Sequence, residues 1–199
     1  MNPADKVSLR REMRNHRRAL GEVQRQAAAA ALLKNLLTLD AFNAAETMAM
    51  YLVNDGEIDP VDAMRWCWVN NRKTYVPIVI QTQGNSLVFA PVGPDSEFQE
   101  NRFGIPEPVV DESEIIAARD LDLVLLPLVA FDASGNRLGM GGGFYDRTFE
   151  FVRDQAKSAP VMIGIAHELQ RVPRIESESW DIPLSTVVTD CGIYNMDDG

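Results

Sequence analysis

Residues Leu128–Arg147, LVAFDASGNRLGMGGGFYDR, carry the densest chemical signal in the chain. Four glycines (Gly139, Gly141, Gly142 and Gly143) fall within five positions, directly before a run from Phe144 to Arg153 that predicts a helix. Without Cβ atoms, backbone N–H groups can close around an anion, and a helix amino terminus adds partial positive charge. Arg137, just upstream, supplies a full charge. Asp146, at the predicted helix start, is placed to stabilise the dipole or to bind Mg2+ beside a nucleotide. This is the composition of a phosphate cradle, with a tight ligand-free connection as the alternative. It is not a P-loop, because no Lys-Ser/Thr pair follows. Nor is it the dinucleotide fingerprint, because Phe144 stands at the third glycine position.

A second set of cations lies at the amino terminus. Lys6, Arg10 and Arg14 are spaced i, i+4, i+8 and project from one face of a predicted helix, either as a solvated face or as a row aimed at phosphates. Residues 1–25 hold seven basic and three acidic side chains, while the remaining residues hold 12 basic and 26 acidic ones. The formal net charge of −10 is therefore a small cationic segment on an acidic body. That balance suits a specific anionic ligand and argues against broad nucleic-acid binding. No Ser/His/Asp or Cys/His constellation is present. His16 and His167 lack ligand-spaced partners, and His167, after an apolar run, reads as structural. Cys67 and Cys191 are too few for a disulfide framework or zinc knuckle.

The elements that must position these groups follow from periodicity. Lys6 to about Leu37 reads as helix, with Ser8 placed to cap its first turn and Gly21 marking a bend. Thr47–Val53 predicts a buried strand, followed by the loop Asn54-Asp55-Gly56-Glu57 and a helix from Val61 to Asn70 opened by Pro60. Lys73–Ile80 and Leu87–Pro91 predict a hairpin turning at Gly84-Asn85. Phe98–Val110 reads as an ordered loop. Leu121–Leu126, wholly apolar and ended by Pro127, predicts a central strand covered on both faces. Val161–Ala166 and Thr186–Thr189 complete the strands. The alternation predicts a single α/β domain over residues 1–199, with a mainly parallel central sheet, helices on both faces in a Rossmann-like three-layer arrangement, and a glycine-rich phosphate loop. Residues 190–199 are expected to be a mobile tail. With 199 residues, 46% of them apolar, the chain can bury a full core, and no apolar run approaches the ~20 residues of a membrane helix. A polar, basic start in place of an apolar signal segment predicts a cytoplasmic protein.

The segment Pro127–Arg147 resembles the signature of the 5-formyltetrahydrofolate cyclo-ligase family, also called methenyltetrahydrofolate synthetases. Other pieces agree in order and spacing: Lys6-x-x-x-Arg10, Asp55-Gly56-Glu57-Ile58-Asp59, Asn101-Arg102-x-x-Ile105-x-Glu107-Pro108, and Trp180-Asp181-Ile182-Pro183 leading to Val188-Thr189-Asp190. The resemblance spans nearly the whole chain and is strongest to bacterial members. Met140 and Gly142 occupy variable loop positions, and Asp190 stands where a glutamate is more usual.

The resemblance implies ATP- and Mg2+-dependent conversion of 5-formyltetrahydrofolate to 5,10-methenyltetrahydrofolate, with release of ADP and phosphate. It places the ATP phosphates on Lys6, Arg10 and the loop Arg137, Leu138, Gly139, Met140, Gly141, Gly142, Gly143, Phe144 and Tyr145. Within that loop, Arg137 and Tyr145 would position the reactants and stabilise charge. Glu57 matches the folate-contacting glutamate, with Tyr51 and Leu52 as an apolar wall and Met140 to Phe144 on the folate's other side. Asp146 and Asp181 match the magnesium positions. Arg11, Arg14, Arg17 and Arg18 gain no role from the resemblance and are read as solvated. The implied partners are ATP and 5-formyltetrahydrofolate, with or without a polyglutamate tail, acting on a monomer without nucleic acid or membrane. The alternatives are a silent folate or nucleotide sensor and another ATP-dependent ligase or kinase on the same scaffold.

Overall fold

A computed structural model describes residues 3–80, 86–100, 106–154 and 159–195. Gly84-Asn85, residues 101–105 and residues 196–199 lie outside the described residues. The helices are α1 (Pro3–Arg18), α2 (Glu22–Leu36), α3 (Asp40–Ala44), α4 (Val61–Val69) and α5 (Phe144–Thr148). Gly21 does more than bend a helix: it separates α1 from α2 as the amino-terminal cap of α2, its N–H donating to Gln24 Oε1 at 2.9 Å. Ser8 lies inside α1 and caps nothing.

The strands are β1 (Thr47–Ala49), β2 (Lys73–Ile80), β3 (Ser86–Val92), β4 (Phe98–Glu100), β5 (Pro106–Pro108), β6 (Leu123–Pro127), β7 (Ala130–Phe131), β8 (Arg137–Leu138), β9 (Val161–Ile165), β10 (Thr186–Val188) and β11 (Ile193–Asn195). Seven of them form one sheet in the order β11-β10-β9-β6-β1-β2-β3. The pairs β10–β9, β9–β6, β6–β1 and β1–β2 are parallel, and β3 and β11 close the two sides antiparallel. The chain runs from β1 outward to β2, then returns to β6 on the other side of β1. The order therefore reverses between β1 and β6, the switch point where open α/β sheets form a crevice at the strands' carboxyl ends.

Side-chain alternation on β6 shows the sheet covered on both faces. Leu123 and Leu125 join the core shared with α2 and α4, whereas Val124 and Leu126 join the core on the opposite face with Phe89 and Phe149. The Ala- and Leu-rich α2 buries Ala28, Ala29, Leu32 and Leu36, one stripe at helical spacing. A third, smaller core of Met13, Val129, Ala130, Leu138 and Ile175 seats α1. Met13 thus packs α1 on the two-stranded β7–β8 ribbon rather than on the central sheet.

Several expectations need correction. The strand at Thr47 ends at Ala49, and the segment after Phe98 contains the antiparallel β4–β5 pair rather than only loop. The helix after the glycines is only five residues, Phe144–Thr148, followed by a 3-10 turn over Glu150–Asp154, so no long dipole stands behind the loop. The carboxyl-terminal segment is not all loose tail. Residues 193–195 form the edge strand β11, and Asp190 Oδ1 accepts the Glu168 N–H at 2.7 Å, fixing the turn beside it.

Candidate active site

The glycine-rich loop is positioned by the β7–β8 ribbon, whose turn is organised by one buried carboxylate. Asp132, 2% exposed, accepts the N–H groups of Ser134, Asn136 and Ile175 and the Asn136 side-chain amide. That turn delivers Arg137 to the carboxyl edge of the sheet. A cleft of about 730 Å³ opens there, and its walls include Leu126 and Pro127 from the end of β6, the five residues Gly139 to Gly143, and Lys6 and Arg10 from α1. Arg10 Nε donates to the Gly139 carbonyl at 2.8 Å, which couples the helix to the loop. Gly141 has φ +93°, and a Cβ there would lie 3.4 Å from the Arg10 guanidinium carbon. Lys6 Nζ reaches Glu178 Oε1 at 2.5 Å, so the two predicted phosphate-gripping cations stand on one wall.

The floor carries the acidic groups. Arg137, its side chain 7% exposed, donates to the Asp146 carboxylate and to the Ile182 carbonyl. Burial pulls the Arg137 pKa down, and the charges of Asp146 and Asp181 oppose it, so both aspartates lie within electrostatic reach of the guanidinium. Asp181 Oδ2 accepts the Glu178 N–H at 2.8 Å. Asp146 and Asp181 line the same cleft and offer hard oxygen donors, which fits Mg2+ completed by water and phosphate oxygens. Among the described residues no group of three or more His, Cys, Asp or Glu gathers.

Of the predicted folate residues, Met140 to Phe144 line this cleft, but Tyr51, Leu52 and Glu57 do not. Glu57 borders a separate recess of about 530 Å³ with Asp55 and Gly56. Tyr51 is buried at 4% exposure, and its hydroxyl donates to the Ile58 carbonyl at 2.6 Å, so it braces the loop from within the core instead of forming an open wall. Leu52 is half-buried and packs against the same core. Tyr145 bridges the two regions: it lines the main cleft, and after burial the charge of Glu57 is the next influence raising its phenol pKa. Burial also raises the Glu57 carboxyl pKa, with the Arg17 charge opposing. Met140 is 52% exposed at the cleft mouth, and the Phe144 ring lies 5.5 Å beneath the Arg147 guanidinium.

Of the four α1 arginines read as solvated, Arg11 is exposed, whereas the other three are engaged by a carboxylate. Arg14, Arg17 and Arg18 all converge on Asp55. Arg14 Nε donates to Oδ2 at 2.6 Å, and Arg17 donates at 2.8 Å both to Oδ2 and, through Nε, to the Asp55 carbonyl. Burial raises the Asp55 pKa, but the three guanidinium hydrogen bonds outweigh it and hold the carboxyl at about 2. The clamp requires backbone to touch backbone: Gly56 has φ +72°, and a Cβ would fall 3.0 Å from the Arg17 carbonyl oxygen. Sequence reasoning missed this clamp and Glu178, for which it held no signal. It also passed over Trp180, 57% exposed on the cleft wall inside a motif already singled out.

A doubly wound sheet with a glycine-lined, cation-rimmed cleft at its switch point defines an α/β protein of the kind that works at the carboxyl edge of its strands. The chain belongs to the 5-formyltetrahydrofolate cyclo-ligase family, whose family model matches residues 2–190. It is 35% identical over 188 residues to the 5-formyltetrahydrofolate cyclo-ligase of Haemophilus influenzae, covering 94% of this chain and 99% of that protein. It is 37% identical over 182 residues to the Escherichia coli K12 5-formyltetrahydrofolate cyclo-ligase, covering 92% and 98% respectively. The solved structure of Aquifex aeolicus 5,10-methenyltetrahydrofolate synthetase superposes with a TM-score of 0.79 at 30% identity, covering 98% of this chain and 94% of that one.

Proposed function

We propose that this chain uses ATP to close 5-formyltetrahydrofolate into 5,10-methenyltetrahydrofolate, releasing ADP and phosphate. The observation that carries the reading is the convergence, on one cleft at the sheet's switch point, of Lys6, Arg10, Arg137, the glycine loop, Asp146 and Asp181. Family membership supplies the substrate class.

The formyl oxygen is a poor leaving group. It attacks the γ-phosphorus of ATP, the bond to ADP breaks, and the formyl carbon is left bearing a phosphate ester. N10 then attacks that carbon and gives up its proton to the phosphate or to solvent, the C–O bond breaks, and inorganic phosphate departs. Ring closure is intramolecular, so the protein's task is alignment and exclusion of water. Lys6 and Arg10 hold the terminal phosphates against the N–H groups of Gly139 to Gly143, and Arg137 meets charge on the moving phosphoryl group. Tyr145 stands between the phosphate cleft and Glu57, whose carboxylate accepts N–H donors of the reduced pterin. Leu52 and Phe144 lend apolar surface. Mg2+ held by Asp146 and Asp181 neutralises phosphate charge when bound. No covalent nucleophile is required.

The chain acts in this reading as a cytoplasmic monomer, and among the described residues no helix is long and apolar enough to cross a membrane. The test is a single assay: purified protein, (6S)-5-formyltetrahydrofolate and Mg-ATP, followed by the near-ultraviolet absorption of the methenyl product. Appearance of that band with stoichiometric ADP supports the reading. Binding of both substrates without the band overturns it in favour of a sensor.

A further inference from the structure

Arg17 is the one charged side chain of the described core that is wholly buried, at 0% exposure. Two of its nitrogens are spent on Asp55, its Nη1 has no partner, and its Nη2 lies 3.6 Å from Glu57 Oε1. That last distance is charge attraction rather than a hydrogen bond. A buried guanidinium with an unsatisfied N–H is a costly way to pack a helix, because an apolar residue of similar volume often does so better. The cost makes sense where the charge acts on a neighbour.

We infer that Arg17, anchored by Asp55, is a positioning residue for Glu57, setting how that carboxylate meets the N–H donors of the reduced pterin. The inference rests on the folate role proposed above for Glu57. The groups facing Glu57 are Arg17 and Arg14 from α1, Asp55 from its own loop, Tyr51 after β1, Tyr145 from α5, and His167 after β9 through the backbone of Gly56 and Glu57. Burial drives Glu57 toward its neutral form, and Arg17 is the largest single influence opposing it. A neutral Glu57 would lose charge-assisted acceptance from the pterin. Arg17 also sits on the helix that carries Lys6 and Arg10, so the same rigid element serves the phosphate grip and the pterin carboxylate.

The experiment compares wild type, Arg17→Gln and Arg17→Lys for the KM of each substrate, the pH profile of kcat/KM for folate, and thermal melting. Expected for Arg17→Gln is a folate KM raised about tenfold, a loss equal to one charged hydrogen bond, with the ATP KM within about twofold. The acid limb of the folate profile moves to higher pH, because removing the cation lets burial raise Glu57 further. Arg17→Lys restores the limb while leaving part of the KM loss. An unmoved acid limb, or both KM values shifting together, assigns Arg17 a purely structural role and overturns the inference. If both variants lose the native melting transition, the more exposed Arg14→Gln decides the matter by the same limb shift, smaller in size. Wild-type protein that never forms the methenyl product overturns the folate reading itself, an outcome distinct from active wild type with an indifferent Arg17.

Discussion

Arg137 and Asp146 form an ion pair at the floor of the cleft, the guanidinium 7% and the carboxylate 25% exposed. Each partner has a separate place in the proposed chemistry, Arg137 toward the transferring phosphoryl group and Asp146 toward Mg2+. The pair therefore keeps two charged groups in register before phosphate arrives.

Asp146→Asn should lower kcat by about a hundredfold or more, the usual scale for losing one aimed charge in a closed site. Folate affinity, read by fluorescence titration, should stay within about twofold, because Glu57, the proposed pterin acceptor, is untouched. Loss of folate binding as well would make Asp146 a fold determinant instead.

Chelation of divalent ions should stop turnover, and added Mg2+ should restore it. Asp181→Asn should raise the Mg2+ concentration needed for half activity, measured with the methenyl absorption as readout. Two carboxylates underfill an octahedral site, so the metal should bind far better with ATP than without it, as calorimetry would show.

Asp55→Asn should destabilise the fold by about 3 kcal/mol in chemical denaturation, because buried Arg17 then loses its hydrogen-bonded counter-charge. The difference from wild type should depend on pH in a defined sense. Asp55 has its carboxyl held down from 3.8 to about 2 in the folded chain. Its stabilisation is thus complete above the unfolded value and fades as the pH falls from 3.8 toward about 2. Melting curves of both proteins should converge across that window. Glu57 and Asp59, raised by burial, act in the opposite sense.

Gly141→Ala should raise the ATP KM several-fold while leaving the folate-loop clamp intact. The new methyl group would strain a backbone at φ +93° and stand in contact with the Arg10 guanidinium 3.4 Å away. An unchanged ATP KM would remove Gly141 and Arg10 together from the phosphate grip.

The parts of this molecule legible in sequence are those encoded locally. The glycine run, the Lys6/Arg10 spacing and the alternation of strands and helices each declare themselves within a short window, and β2 from Lys73 to Ile80 matches its expected bounds. The helix after the glycines was overestimated because periodicity continues past Thr148 while the backbone does not. Strands of two or three residues, such as β7, β8 and β11, lie below what an apolar pattern can mark. The arginine clamp was unreadable for another reason. Arg17 and its partner stand 38 residues apart, and a basic helical face looks the same whether it meets water or a carboxylate. Glu178, 172 positions from Lys6, is hidden in the same way.

The contact between Gly56 and the Arg17 carbonyl has a practical corollary for protein engineering. With no room for a side chain at that seam, the amino-terminal helix and the Asp55-Gly56 turn behave as interlocking halves of a single part. A chimera that imports the first helix from a relative should fold only if it imports the turn as well. Exchange of either alone would set a foreign surface against a gap of one hydrogen's width.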